Sequence, residues 1–126
     1  MSRVWMVEVP MRVSTKKSIK KKLDILWSKI IHDRGVCEVC GKPGQNAHHI
    51  IGRINYALRW DLRNGCLLCI GCHFKAHNNP LWFMDWLWTN RPGDYLYLTD
   101  PEFTKTKTWH LSDYEDLYKS LTEGVK

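Results

Sequence analysis

The sequence predicts a small α+β protein with a single domain, residues 1–126. A structural zinc held by four cysteines would brace two short strands and a helix, with further helices on either side. The chain has the length of one domain. Two Cys-x2-Cys pairs, Cys37 with Cys40 and Cys69 with Cys72, have the spacing of a tetrahedral zinc site. Short apolar runs and stretches of helical periodicity surround these pairs.

Residues 1–35 predict an arm followed by a basic helix. Residues 3–13 alternate weakly and include a proline, which is typical of an edge strand or an arm. Ser14 or Thr15 can cap the helix that follows, and Gly35 can end it. Apolar residues recur there at helical spacing, at Ile19, Leu23, Leu26, Ile30 and Ile31.

Residues 36–78 contain the cysteine pairs and four histidines. In order, they predict a short strand at 47–51, a polar loop at 52–63 that runs outward, a second buried strand at Leu67 and Leu68, and a helix from about Cys72 to Asn78.

Residues 79–126 are acidic overall and rich in tryptophan. Trp82, Trp86 and Trp88 predict a core or a subunit contact, with base stacking as the alternative. The predicted elements are a helix from Pro80 capped by Asn79, a turn at 91–94, a short strand at 95–98, and a last helix that ends near Leu121 after a capping box of Ser112 and Glu115.

Positive charge is concentrated before residue 79. Residues 1–78 contain 14 Lys and Arg against 5 Asp and Glu, and the remainder contains 5 against 8. This distribution indicates an anionic partner, most commonly nucleic acid, or a solubilising surface. Five lysines in the opening turns of the first helix, Lys20 and Lys21 among them, oppose the helix dipole. Contact with phosphates or a solvated face would explain them.

The remaining sequence signals concern location and the fifth cysteine. No apolar run is long enough to span a membrane, and the first residues lack the pattern of a signal peptide. Cysteines in Cys-x2-Cys pairs fit a reducing compartment, so we expect a cytoplasmic protein. Cys66 could pair with Cys69 instead of Cys72. We prefer Cys72 and expect Cys66 to pack as a small apolar residue.

The histidines predict a second metal site with an open position. His48 and His49 are adjacent, so on a strand their side chains point to opposite faces. His73 and His77 are four residues apart and share one face of a helix. His48, His73 and His77 can therefore bind one divalent ion as three protein ligands. His49 would remain unligated, and its ordinary pKa of about 6.5 suits a general base.

With these residues in place, residues 36–78 resemble the HNH endonuclease family. The matching residues are Ala47-His48-His49, Asn64, Cys69-Ile70-Gly71-Cys72-His73 and Lys75-Ala76-His77. The chain is similar in particular to small HNH proteins of phages, and the run 59–64 resembles phage recombination-associated nucleases. The resemblance implies a ββα-metal finger reinforced by a four-cysteine zinc. Residues 1–35 and 79–126 flank the motif and are not covered by it.

The resemblance also implies roles for individual residues. His49 matches the general base, and Asn64 matches the asparagine whose amide ties down the loop and helps to aim that base. The remaining matches are the ligands of a catalytic divalent ion, His48, His73 and His77, and those of the structural zinc, Cys37, Cys40, Cys69 and Cys72. Histidine at position 48, where many members have aspartate, favours Mn²⁺, Ni²⁺, Co²⁺ or Zn²⁺ over Mg²⁺.

The activity that this implies is hydrolysis of DNA phosphodiester bonds, leaving 5′-phosphate and 3′-hydroxyl ends. Arg53, Arg59 and Arg63 would hold flanking phosphates, or each would pair with an acid such as Asp61. One such site cuts one strand at a time, so double-strand cleavage needs a homodimer or two successive events. Two other hypotheses remain. One is a zinc-stapled nucleic-acid-binding module without catalysis, and the other is a nuclease active only within a phage recombination or packaging complex.

Overall fold

The computed structural model describes residues 15–124, and the predicted arm at 3–13 lies outside them. The chain divides into two compact units, Met1–Leu26 with Thr108–Lys126, and Trp27–Lys107. A single domain over residues 1–126 stays a prediction. Among the described residues, no helix is long and apolar enough to cross a membrane.

The described elements are mostly helical, with one small antiparallel sheet. In chain order they are α1 (Lys16–His32), β1 (Asn46–His49), a 3₁₀ turn (Leu62–Asn64), β2 (Gly65–Leu68), α2 (Ile70–Asn78), α3 (Pro80–Asn90), α4 (Pro92–Thr99), α5 (Pro101–Thr104) and α6 (Leu111–Glu123).

Helix α1 confirms the predicted basic helix. Thr15 caps it, because the Ser18 amide donates to Thr15 Oγ1 at 3.1 Å and the Thr15 amide donates to Ser18 Oγ at 2.9 Å. The helix ends at His32, and Gly35 follows with a φ of 91° that favours glycine. Its buried residues recur every four positions, at Ile19, Leu23, Trp27 and Ile31.

The first unit contains the beginning of α1 and the whole of α6. Tyr114 and Leu121 are buried on α6, and the rings of Trp109 and Tyr114 stack with centroids 4.9 Å apart. The predicted helix is confirmed, but its capping pair is wrong. The His110 amide donates to Asp113 Oδ2 at 2.8 Å, so the cap lies two residues before the predicted one.

The second unit contains the sheet and helices α2 to α5. Strands β1 and β2 pair antiparallel, with Asn46 opposite Leu68 and His49 opposite Gly65. All four residues of β2 are buried. Both predicted strands are confirmed, although their first and last residues differ slightly from the predicted ones. The predicted helix is confirmed as α2, which starts two residues before Cys72 because Cys69 is its N-cap.

The sequence predicted that the loop at 52–63, after β1, runs outward. Part of this loop is instead buried. Leu58 and Trp60 are 0 % and 1 % exposed, and Leu58 packs in one cluster with Leu87 and Leu98. Two apolar residues among polar neighbours form no periodic pattern, so the sequence does not indicate that they are buried. Their burial comes from contacts with residues distant in sequence.

The predicted turn at 91–94 and strand at 95–98 are wrong, since these residues form α4. Pro92 occupies the first helical turn, where its missing amide hydrogen costs nothing, and Asp94 complements the helix dipole there. The sequence Tyr95-Leu96-Tyr97-Leu98 is too short for its apolar pattern to separate strand from helix. By contrast, Asn79 and Pro80 begin α3 as predicted, and Asn79 Oδ1 accepts from the Trp82 amide at 3.2 Å.

Arg91 ties the junction of α3 and α4 to the start of β2. Its guanidinium donates to Asp94 at 2.8 Å, to Glu38 at 3.2 Å, to the Gly65 carbonyl at 3.0 Å and to the Arg63 carbonyl at 3.0 Å. The side chain is 16 % exposed, so these charge-assisted bonds are partly shielded from water. They fix the backbone on both sides of Asn64.

Close packing at Gly44 gives a prediction for stability. A Cβ added there would lie 2.6 Å from Cδ2 of the buried Leu67. We expect Gly44→Ala to lower the free energy of unfolding by about 1–3 kcal/mol, because Leu67 must leave its rotamer. The matched control is Gly93→Ala on α4, where a Cβ would meet nothing within 4 Å. Equal denaturant midpoints for the two variants would contradict the packing described.

Candidate metal centre

The four predicted cysteines converge. The Sγ atoms of Cys37, Cys40, Cys69 and Cys72 all lie within 4.8 Å of one another, and those of Cys40 and Cys69 are 3.6 Å apart. A tetrahedral site with Zn–S bonds of about 2.3 Å places its sulfurs about 3.8 Å apart. The donor set and its spacing therefore fit a structural zinc ion.

Local backbone structure brings these sulfurs together. The first pair lies in a tight turn in which the Cys37 amide donates to the Lys42 carbonyl at 2.6 Å, and the Gly41 amide donates to the Cys37 carbonyl at 2.9 Å. Gly41 has a φ of 81°, which a side chain would disfavour. Cys69 is the N-cap of α2, where its Sγ accepts from the Cys72 amide at 3.4 Å.

The thiols of the cluster have unequal acidities. Burial opposes the thiolate of Cys37, but the backbone amides of Cys40, Cys69 and Val39 outweigh it and lower the pKa of that thiol to about 6. Burial and the neighbouring sulfurs raise the pKa of Cys72. Four thiolates this close repel one another, so a bound divalent ion is what would let all four ionise.

Cys66 does not belong to the cluster. It is fully buried in the core beside Cys37, Leu68, Ala76 and Phe83. Burial, followed by the charge of Glu38, raises the pKa of its thiol to about 12. The preferred pairing of Cys69 with Cys72 and the packing role of Cys66 are therefore confirmed.

Three of the predicted histidines form a second cluster. One nitrogen from each of His48, His73 and His77 lies within 4.8 Å of the others, and the Nε2 atoms of His73 and His77 are 3.0 Å apart. Metal–nitrogen bonds of about 2.0–2.1 Å at angles near 90–110° place two ligand nitrogens about 3.0–3.4 Å apart. The three imidazoles can therefore hold one divalent ion.

Burial favours the neutral form of two of these imidazoles, His48 and His73. His48 is 8 % exposed and packs edge-on against Phe83. Burial, then the charges of His73, His77 and His49, lowers the pKa of His48 to about 4. Burial and His77 also lower the pKa of His73. Both imidazoles are neutral at pH 7, as ligation requires.

His49 is held apart from the three ligands. Its Nε2 lies 2.9 Å from the Arg59 carbonyl oxygen, and its ring stacks on the Trp27 indole with centroids 3.9 Å apart and planes 11° apart. A carbonyl oxygen can only accept, so Nε2 carries a proton, and in the neutral imidazole the lone pair is then on Nδ1. His48 and His49 thus make different contacts, as adjacent residues on a strand should.

Asn64 is fully buried beneath the loop that follows β1. Its Oδ1 accepts from the Ile51 amide at 2.7 Å, and its Nδ2 donates to the carbonyls of Ile51 at 2.9 Å and Leu58 at 3.1 Å. All three hydrogen bonds of the Asn64 side chain go to backbone groups of this loop. The amide therefore ties the loop to the edge of the sheet.

The histidines open onto two adjoining clefts. A cleft of about 240 Å³ is lined by Ala47, His48, His49, Gly52, Arg53, His73 and His77. The other, of about 260 Å³, shares four of these residues and adds the apolar side chains of Ile50, Ala76, Pro80, Phe83 and Met84. His49 therefore lines the same clefts as ligand residues His48 and His77.

The basic residues predicted to contact DNA lie in different surroundings. Arg53 lines the first cleft. Arg59 lies over the rings of Tyr56 and Trp60, 5.3 and 5.1 Å from their centroids. Arg63 pairs with Asp94 at 2.8 Å and not with Asp61, the acid suggested by the sequence.

Lys20 and Lys21 lie on the part of α1 that belongs to the first unit, where Lys21 is exposed and Lys20 is half-buried. Their contact with DNA stays a prediction.

Sequence reasoning missed Trp27 and Glu38. Trp27 is four residues from both Leu23 and Ile31, so helical spacing could have placed it on the buried face of α1. Glu38 Oε2 accepts from the Leu67 amide at 2.8 Å and from Arg34 at 2.9 Å. No local pattern indicates that role.

No model of a known protein family matches the chain, and comparisons with curated proteins and with solved structures find no similar protein. The structure itself establishes a mixed α+β protein with four cysteines and three histidines grouped so that each set can bind a metal ion.

The two clusters should bind metal independently. We expect purified protein to carry two zinc ions per chain by elemental analysis, with Cys40→Ser removing one and His73→Ala the other. With Co²⁺ in place of zinc, thiolate-to-metal absorption should vanish in Cys40→Ser and persist in His73→Ala.

His32→Ala is the matched control for this experiment, since His32 belongs to neither cluster and bonds to the carbonyls of Ser28 and Gln45. It should retain both ions. Binding of a single zinc by the unmodified protein would show that one of the clusters is not a metal site.

Proposed function

We propose that this protein is a metal-dependent DNA endonuclease of the HNH type, a phosphodiester hydrolase built on a zinc-stapled ββα-metal finger. One observation carries the proposal. Three imidazoles converge as ligands, while a fourth, His49, lines the same clefts with its own hydrogen bond and a defined tautomer. A purely structural zinc protein has no need for this second constellation.

Chain topology also supports the proposal. Antiparallel strands β1 and β2 followed directly by α2 give the order strand, strand, helix, and the histidines lie on the first strand and the helix. His48 comes from β1, while His73 and His77 come from successive turns of α2. The four cysteines hold the end of β2 and the start of α2, which fixes that helix against the sheet.

In this proposal His49 is the general base. Its Nε2–H donates to the Arg59 carbonyl, and in the neutral imidazole Nδ1 is the nitrogen that would take a proton from water. The water oxygen attacks phosphorus, the bond from phosphorus to the 3′ oxygen breaks, and that oxygen leaves with a proton from solvent. The products are a 5′-phosphate and a 3′-hydroxyl. A divalent ion on His48, His73 and His77 would stabilise the negative charge that develops on the phosphate and on the leaving oxygen.

The proposed substrate is DNA because the clefts suit a phosphodiester. Arg53 lines the cleft that contains the three ligands, and none of the described residues lining either cleft is acidic. The excess of lysine and arginine before residue 79 would attract the backbone over a longer range. The absence of a carboxylate from the ligand set favours Mn²⁺, Co²⁺, Ni²⁺ or Zn²⁺ over Mg²⁺.

Cleavage of supercoiled plasmid by the purified chain, across a panel of divalent ions, tests the proposal. We expect nicked and then linear DNA, fastest with a borderline ion such as Mn²⁺. His49→Ala should lower the rate by about 10²–10⁴-fold. It should still bind DNA. It should also bind two metal ions, because His49 belongs to neither metal cluster.

His32→Ala again serves as the control and should cleave at the unmodified rate. Equal rates for His49→Ala and the unmodified protein would reject His49 as the base. DNA binding without cleavage under any ion would instead favour a nucleic-acid-binding module, or a nuclease that acts only within a larger phage complex.

A further inference from the structure

The imidazole of His49 rests on a second aromatic ring. Trp27 and His49 lie almost parallel, 11° apart in plane, with centroids 3.9 Å apart. The hydrogen bond from Nε2 to the Arg59 carbonyl fixes one atom of the imidazole. The indole face fixes the plane of the ring, and hence the direction in which Nδ1 points. Both restraints together leave His49 one orientation.

Trp27 is itself rigidly held. It is 2 % exposed, and its indole N–H donates to the Asp61 carbonyl oxygen at 3.0 Å. The Asp61 side chain accepts from the Arg63 amide at 2.9 Å and from the Tyr97 hydroxyl. The indole is therefore hydrogen-bonded to Asp61, which is in turn bonded to Tyr97 on α4. Rotation of the indole would break the partly buried bond to Asp61.

Gly65 makes the room that this stack requires. It lies opposite His49 in the β1–β2 ladder. A Cβ at Gly65 would lie 2.9 Å from Cζ2 of Trp27 and 2.8 Å from Cγ1 of Ile31, closer than real Cβ atoms approach. The missing side chain lets α1 approach the sheet closely enough for the indole to reach His49.

We propose that Trp27 is a positioning residue for His49, seated over Gly65 so that its indole face sets the orientation of the base. The inference rests on the proposed nuclease function, because it gives His49 the role of base. Trp27 is neither in the histidine cluster nor among the described residues that line the two clefts. It acts on the reaction only through His49.

The stack predicts a kinetic signature. Loss of the aromatic face should lower kcat, since a misdirected base fails in the chemical step, and should leave KM unchanged, since substrate contacts are intact. A misplacement of about 1 Å costs roughly 10²-fold in rate, so we expect Trp27→Leu to lower kcat by roughly 10- to 100-fold. Trp27→Phe keeps a flat ring at the same place and should recover most of the rate.

Two controls separate positioning from packing. Ile31→Val loses apolar volume one turn further along α1, against the same Gly65, and should be slightly less stable with unchanged kcat. Trp27→Met keeps most of the volume without a ring and replaces Trp27→Leu if that variant does not fold. All variants should bind two zinc ions, which confirms that the metal clusters are intact.

An NMR measurement tests the stack without reference to cleavage. In the unmodified protein the ring protons of His49 should be shifted upfield by the indole ring current. The shift should disappear in Trp27→Leu or Trp27→Met and persist in Ile31→Val. Absence of the shift in the unmodified protein would overturn the inference.

The two proposals fail in different ways. If the unmodified protein never cleaves DNA, the nuclease function fails even though the upfield shift is present. If it cleaves, and the variant without an aromatic ring has the unmodified kcat, the positioning role of Trp27 is overturned while the nuclease function stands.

Discussion

The alternation of side chains along β1 is the constraint on which the site depends. His48 and His49 are neighbours in sequence, yet one ring meets His73 and His77 on α2 and the other meets Trp27 on α1. The ladder with β2 fixes this division, because a slip by one residue would exchange the two faces. This division is what would let one imidazole serve as a ligand and the other as a base in the proposed function, although both belong to the same strand.

Helix α2 links the two clusters. Its N-cap is Cys69, its first turn contains Cys72, and its later turns contain His73 and His77. A metal ion bound by the cysteines would thus fix the start of the helix that contributes two of the three clustered histidines. The buried His48 completes that set from the sheet, and burial holds its pKa near 4, so protons do not compete for it near neutral pH. A four-residue strand and a nine-residue helix are too short to hold such geometry alone, which explains the need for a staple.

The candidate ligands could be chosen from sequence because the spacing within each pair is local. Two Cys-x2-Cys pairs and histidines four residues apart place donors on one turn or one helical face, whatever the rest of the chain does. The surroundings were not predictable, since they join distant residues. Trp27 reaches His49 across 22 positions of the sequence, and Arg91 reaches Glu38 across 53. The same limit explains α4, where Tyr95 to Leu98 suit a strand locally, but the helix is selected by Pro92 and by the burial of Leu98.

The distribution of charge around the site follows from these long-range contacts. Glu38 and Asp94 pair with Arg34, Arg63 and Arg91, so two of the acids nearest the motif are neutralised within the scaffold. The clefts are lined by Arg53 and imidazoles, without an acidic residue among the described lining residues. Three neutral ligands leave the full charge of a divalent ion available to an anion, whereas each carboxylate ligand would cancel one unit of it. In the proposed nuclease, a divalent ion on this cluster would attract phosphate, and its selectivity among metals would come from imidazole and not from charge.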